Sequence, residues 1–285
     1  MVAPSGSGQY PQIDMTGREI REALHSDRTV YATAVLSTSP LWPPMIQATG
    51  VDFVFIDSEH TPIGRHTLSW ICQTYRALGI APMVRIPEPD PYRACMVLDG
   101  GACGVLAPYV ESPEQVRALA GAVRWRPVKG QRLSAHLEGV APLEPALVDY
   151  LNERNRDTFL VINIESVPAM EALDDILAVP GLDAVLIGPH DLSCSLGIAE
   201  QYRHPRFREA VLEICRKTRA RNIGFGVHYW LDLESHVEWA RAGANLVVRS
   251  SDLTAMTVTL REEIRRLRAA IEGQAAPADD SVEAI

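Results

Sequence analysis

Residues 159–192 read FLVINIESVPAMEALDDILAVPGLDAVLIGPHDL. Two short apolar runs, FLVINI (159–164) and DAVLIG (183–188), flank PAMEALDDILAV (168–179), whose apolar residues recur at helical spacing. Runs that are apolar throughout, without alternation, fit strands buried on both faces, as in a parallel sheet covered by helices. The stretch therefore reads as one βαβ unit. Each of its strands hands over to polar residues at its carboxyl end: Glu165 after the first, and Gly188, Pro189, His190 and Asp191 after the second.

The same pattern recurs in both directions. Towards the N-terminus lie TVYATAVL (29–36), DFVFID (52–57), PMVRI (82–86) and GVLAP (104–108); towards the C-terminus lie IGFGV (223–227) and NLVVRS (245–250). Amphipathic segments separate them, among them EQVRALAGAVRW (114–125) and FREAVLEICRKTRARN (207–222), and LREEIRRLRAAIEG (260–273) follows the last strand. Eight strands, each followed by a helix, predict an α/β fold closed as a (β/α)8 TIM barrel over residues 15–272. Residues 1–14 read as a disordered segment, and 273–285, small and acidic, as a flexible tail. The connection 126–158 is long for a compact domain and suggests a lid or a subunit contact.

Composition narrows the function. The 285 residues are 47% hydrophobic and 22% charged, enough to build a large core. A net charge of −9, with 27 Lys and Arg against 36 Asp and Glu, and no basic stripe argue against a nucleic-acid or anionic-membrane surface. The five cysteines lack CxxC spacing, which suits a reducing compartment. No charged-then-apolar leader and no run of about 18 apolar residues is present, so the expected location is cytoplasmic. GGACG (100–104) reads as a structural turn, without the surroundings of a dinucleotide-binding loop.

Active sites of (β/α)8 barrels sit at the carboxyl ends of the strands, so polar residues just after the apolar runs are the candidates. Strand two ends in Asp57-Ser58-Glu59-His60, strand three contains Arg85, strand five leads to Glu165 and strand six to Asp191. Singly, each has an ordinary explanation: a helix cap, a loop histidine or a structural ion pair. Together they set acids, a base and a permanent cation on one rim. His228, Tyr229 and Trp230, after strand seven, belong either to an acceptor pocket or to a subunit interface, and Cys194 has no partner at ligand spacing.

The stretches VDFVFIDSEHTP, APMVRIPEPDPYRACMVLDGGACGVLAPYVES, PVKGQR, INIES and GLDAVLIGPHDLSCSLG resemble, in order and across roughly residues 17–270, the HpcH/HpaI aldolases of the phosphoenolpyruvate/pyruvate barrel superfamily. That resemblance implies a modified TIM barrel using Mg2+, Mn2+ or Co2+ to join or cleave a small 2-oxo acid, pyruvate, and an aldehyde. It implies Glu165 and Asp191 as metal ligands, with substrate oxygens and water completing a shell that hard cations accept. His60 corresponds to the base, Asp57 to the carboxylate on its other ring nitrogen, and Asp99 to a second acid that supports the base, often from a neighbouring subunit. Arg85 corresponds to the arginine that steadies developing negative charge. The backbone from Gly188 and Pro189 through His190 to Asp191 corresponds to the cradle for the pyruvate carboxylate.

The chain departs from the family's pattern at three positions. Asn163 stands where many members have glutamine, His190 where a small residue is usual, and Leu133 follows Arg132 where glycine is usual. The resemblance also implies a homohexamer of dimers that exchange C-terminal helices, a role for which Leu260, Ile264, Leu267 and Ile271 form an apolar stripe. Lys129 and Lys217 fall outside the strands, so no Schiff-base lysine is expected. Two other readings remain: an enzyme of specialised biosynthesis that condenses the enolate with a keto acid or other carboxylic acid, and a barrel kept for binding alone. The second predicts loss of at least one of His60, Arg85, Glu165 or Asp191.

Overall fold

The computed structural model describes residues 15–273, so the expected disorder of residues 1–14 and of most of the 273–285 tail falls outside the described residues. The chain runs α1 (Gly17–Leu24), β1 (Val30–Val35), α2 (Trp42–Gln47), β2 (Phe53–Asp57), α3 (Arg65–Ala77), β3 (Ala81–Arg85), α4 (Pro91–Asp99), β4 (Gly104–Ala107) and α5 (Pro113–Arg124). It continues through α6 (Gly130–Leu137), α7 (Pro145–Arg154), β5 (Phe159–Asn163), α8 (Val167–Glu171), α9 (Leu173–Leu177), β6 (Ala184–Ile187) and α10 (Pro189–Ser195). The last elements are α11 (Pro205–Arg219), β7 (Gly224–Tyr229), α12 (Leu233–Arg241), β8 (Leu246–Ser251) and α13 (Asp252–Glu272). All eight strands are parallel and close into one barrel in chain order.

The lack of polar alternation in the strands has a direct cause. Ala32, Phe53, Phe55, Met83, Leu106, Phe159, Val161, Leu186 and Val248 fill the barrel, and Ile20 and Leu24 of α1 join that inner cluster. The intervening residues, such as Val54, Ile56, Val84, Ile162, Val185 and Val227, pack outward under the helices. In β2, β4, β5 and β6 both faces are dry and polar side chains stand only at the strand ends, whereas the outer faces of β1 and β8 open towards the groove beside α13, with Tyr31 exposed.

Four details differ from the sequence reading. The helix expected over 168–179 divides at Ala172 into α8 and α9. The connection 126–158 holds two helices, α6 and α7. β7 continues to Tyr229, because its pairing with β8 carries on through His228↔Val248 and Tyr229↔Arg249. The closing helix starts at Asp252, eight residues early, because Ser251 caps it by accepting from the Thr254 N–H.

Helix α13 leaves the barrel after its first turns. Asp252 is buried and accepts from the Leu36 and Ser37 N–H groups, at 3.0 and 2.9 Å, and from the Trp42 indole. Met256, Leu260, Ile264, Leu267 and Ile271 are exposed, Ile271 to 78%. Beside them is a cavity of about 880 Å³ lined by Tyr31, Trp42, Met45, Trp230, Arg249 and Met256 among others. No helix among the described residues is long and apolar enough to cross a membrane.

Candidate active site

Asp57 and Arg85 are the last residues of β2 and β3 and partner each other in register, so the sheet itself sets them side by side. Arg85 Nε donates to Asp57 Oδ1 at 3.0 Å and Nη2 donates to Oδ2 at 2.6 Å, a two-pronged ion pair. Burial alone would raise the Asp57 carboxyl, but the Arg85 hydrogen bonds and charge outweigh it and hold the group below the usual range. Nη2 of the same arginine also lies 2.7 Å from His60 Nδ1, while Asp57 Oδ2 is 3.4 Å from that nitrogen. A guanidinium can only donate, so the Arg85 contact requires a lone pair on Nδ1 and places the neutral ring's hydrogen on Nε2. The proton-accepting form at Nε2 is the other tautomer, with Nδ1–H turned to Asp57. Arg85 and Asp57 thus compete for one nitrogen.

Glu165 closes the other side. Its Oε1 accepts from the Tyr109 N–H at 2.8 Å, an approach made by the left-handed backbone of Tyr109 at φ 48. Its Oε2 is buried and has no hydrogen-bond partner. Burial, then the nearby Asp191 charge, pushes this carboxyl up to about 8. Gly188 makes the arrangement possible: a Cβ there would stand 2.1 Å from Glu165 Oε2 and 3.8 Å from Asp191 Oδ2. A buried, unpaired carboxylate oxygen next to a second carboxylate fits a divalent cation, which would supply the missing charge.

A second acidic group competes for that description. Asp57, Glu59 and His60 offer ligand atoms within 4.8 Å of one another. There, however, the Arg85 guanidinium already fills the cation's place, bonded to Asp57 and 3.1 Å from Glu59 Oε2. The Glu165–Asp191 pair has no such occupant and is the better fit. The sequence reading gives Glu59 no role, but its burial and its charge interactions with Arg85, His60, Asp57 and Asp191 place it in the cluster. Its signal was its place in the strand-end run Asp57–His60. Tyr109 contributes through its backbone and left no such signal.

Asn163 lies in the floor, 1% exposed; its Nδ2 donates to the Leu186 carbonyl at 3.0 Å, which fixes Oδ1 as the free atom. Oδ1 is buried without a partner. It presents an acceptor, which pairs with a hydroxyl or water and not with an oxo oxygen. Pro189 and His190 open α10; His190 is mostly exposed, 3.8 Å from Glu200 Oε1 and 3.9 Å from Cys194 Sγ. Asp99 is not brought to His60 within this chain. It ends α4 in the outer helical layer and pairs with Arg126 at 3.5 Å. Of the strand-seven residues, His228 turns inward, whereas Tyr229 packs outward against Trp239 and Trp230 lines the α13 groove.

The sequence profile described as HpcH/HpaI aldolase/citrate lyase matches residues 35–257. A hydroxypyruvate/pyruvate aldolase from Roseovarius nubinhibens is 30% identical over 240 residues, 84% of this chain and 88% of that protein. Among solved structures, an HpcH/HpaI aldolase from Desulfitobacterium hafniense superposes with a TM-score of 0.76 at 27% identity, covering 87% of this chain and 96% of the other. The citrate synthase SbnG superposes equally well, TM-score 0.76 at 27% identity, covering 89% and 98%.

Proposed function

The chain belongs to the HpcH/HpaI aldolase/citrate lyase family, a carbon–carbon lyase family, and from that premise we propose that it reversibly joins the enolate of pyruvate to an aldehyde, giving 4-hydroxy-2-oxo acids. The observation that carries the reading is the partnerless, buried Oε2 of Glu165 beside Gly188 and Asp191. Glu165 and Asp191 would hold a divalent ion, Mg2+, Mn2+ or Co2+, whose chemistry when bound is Lewis-acid polarisation of the 2-oxo group. In cleavage, His60 takes the proton of the 4-hydroxyl, the C3–C4 bond breaks to release the aldehyde, and its electron pair becomes the enolate, which is reprotonated to pyruvate. Asp57 orients His60 as acceptor once Arg85 turns from Nδ1 to the developing negative charge. The same base removes a pyruvate methyl proton in the condensing direction.

A second reading has support from Asn163, whose free acceptor differs from the glutamine of many aldolases, and from the likeness to a citrate synthase. There the enolate condenses with a keto acid or another carboxylic acid. A panel of aldehydes and keto acids separates the two. A barrel without turnover loses its ground, since His60, Arg85, Glu165 and Asp191 are all present. The exposed stripe of α13 and the groove beside it support a homo-oligomer that exchanges this helix, a hexamer by family likeness, and such association would offer Asp99 to a neighbour's His60. Five free cysteines suit a cytoplasmic setting.

In deuterated water, the metal-loaded protein should exchange the methyl protons of pyruvate with no aldehyde present. Exhaustive chelation should stop both exchange and aldol turnover, and Mg2+, Mn2+ or Co2+ should restore them. Full activity in protein shown metal-free by elemental analysis refutes the role given to Glu165 and Asp191.

A further inference from the structure

His228 has no task in the reaction just described, yet it is built into the same layer of the barrel. Its neighbours Val227 and Tyr229 pack outward beneath the helices, while its ring meets Phe55 of the inner cluster edge to face, with centroids 5.4 Å apart and planes at 80°. The guanidinium carbon of Arg85 stands over the same Phe55 ring, 5.3 Å from its centroid. Phe55 therefore serves as a plate that His228 braces and on which Arg85 lies.

The imidazole is itself held. Its Nε2 is 3.0 Å from the Ser250 carbonyl, and because a carbonyl only accepts, Nε2 carries the hydrogen. Ser250 reaches this position in the left-handed region, φ 55, immediately before Ser251 caps α13. Burial pushes His228 down to about 4, so the ring is neutral at ordinary pH and does not repel Arg85. A second edge-to-face contact, to Trp230 with centroids 6.3 Å apart, limits ring rotation.

We propose that His228 is a positioning residue of this aldolase: by bracing Phe55 it sets the place from which Arg85 reaches Asp57, His60 and the substrate. Arg85 cannot act well from elsewhere, because its fork must meet Asp57 at both oxygens and its Nη2 must be close enough to His60 to exchange that contact for the substrate. An aliphatic side chain at 228 would fill space but lack the aromatic edge; a glutamine would keep the bond to Ser250 but lack the ring.

The proposal depends on the aldolase reading, and its test separates the two. The metal-loaded, full-length protein is compared with His228→Ala, His228→Gln and His228→Phe by pyruvate methyl exchange, by kcat and KM for aldol turnover, and by the Arg85 Nε–H resonance in arginine-labelled protein. A misplaced catalytic group of this kind costs about 10- to 100-fold. His228→Ala and His228→Gln should lose that factor in exchange and in kcat alike, with the aldehyde KM little changed. His228→Phe, which retains the edge on Phe55, should recover most of it. The Arg85 Nε–H signal, sheltered by Asp57, should move or broaden in the Ala and Gln variants and stay in place in Phe.

Wild-type exchange in His228→Ala overturns the proposal. A change confined to the aldehyde KM also does so, since it makes His228 a wall of the acceptor pocket. Rescue by Gln and not by Phe overturns it as well, because the work would then belong to the Ser250 turn. Should the wild-type protein exchange no protons at all, the aldolase reading fails, and the Arg85 resonance still decides: an unchanged signal in all three variants refutes the bracing role.

Discussion

Glu165 shows what a single carboxyl gains and loses from its surroundings. Burial and the Asp191 charge raise it from 4.5 to about 8, while its Oε2 lacks any partner. A group whose folded value lies above its unfolded one stabilises the protein below the unfolded value and loses that contribution as pH climbs to the folded one. Metal-free protein should therefore lose stability between about pH 4.5 and pH 8, the bounds being the two values of Glu165 itself. Glu165→Gln removes the titration, so its chelated form should show a flatter profile over the same interval. At pH 8, Mg2+ or Mn2+ should raise the melting temperature of the wild type and not of the variant. Equal slopes for the two chelated proteins, read by thermal melts at matched ionic strength, contradict the assignment. Asp57 is the contrasting case, with Arg85 beside it to hold its carboxyl low.

Helix α13 makes a prediction of its own scale. Its first turns are bound by the Ser251 cap and by Asp252, which grips the chain at Leu36 and Ser37, whereas Leu260, Ile264, Leu267 and Ile271 are exposed, with no covering layer among the described residues. If α13 is the proposed exchange helix, truncation before Leu260 should leave the barrel's circular dichroism intact and cost both assembly and turnover, since the stripe would supply the apolar area. A fully active monomer at micromolar concentration, by light scattering, contradicts this. β2, β4, β5 and β6 were legible because strands buried on both faces are apolar almost throughout, while β1, with Tyr31 exposed, was legible from its place in the repeating pattern. The strand-end acids and Arg85 were legible for the same reason, standing within or just after the carboxyl ends of those runs. The sequence reading ends β7 at Val227 because His228 and Tyr229 look like loop residues until the pairing with β8 shows that one faces in and the other out. Asn163 was legible as a departure, but only its bond to Leu186 reveals that the free atom is an acceptor. The contacts of Arg85 with Phe55 and His60 depend on side-chain paths that no periodicity encodes.

Across the molecule, the candidate active site and a buried ion cluster occupy opposite ends of the barrel. The carboxyl ends of the strands carry the partnerless Glu165 Oε2 and Asn163 Oδ1, while the end where β6 begins carries a satisfied carboxylate. There Asp183, almost wholly buried, accepts from Arg124, from the Leu160 N–H at 2.6 Å and from His25 Nε2 at 2.9 Å, and so ties α1, α5, β5 and β6 together. Removing one partner of a buried ion pair costs about 3–5 kcal/mol, because the other charge stays buried. Arg124→Met should fall towards the lower end of that range, since His25 remains, and should leave kcat per folded molecule unchanged because no strand-end residue is touched. The pH dependence has a definite sign. The hydrogen bond to Asp183 raises His25 above 6.5 despite burial, so this contribution is complete below about pH 6.5 and fades as pH rises through the folded value. With Arg124 gone, His25 is the cationic group left in direct ion-pair contact with Asp183 among the described residues, so the variant should lose more stability than the wild type between pH 6 and pH 8. Urea melts at the two pH values check it, and a variant whose deficit is the same at both shows that His25 does not stand in for Arg124.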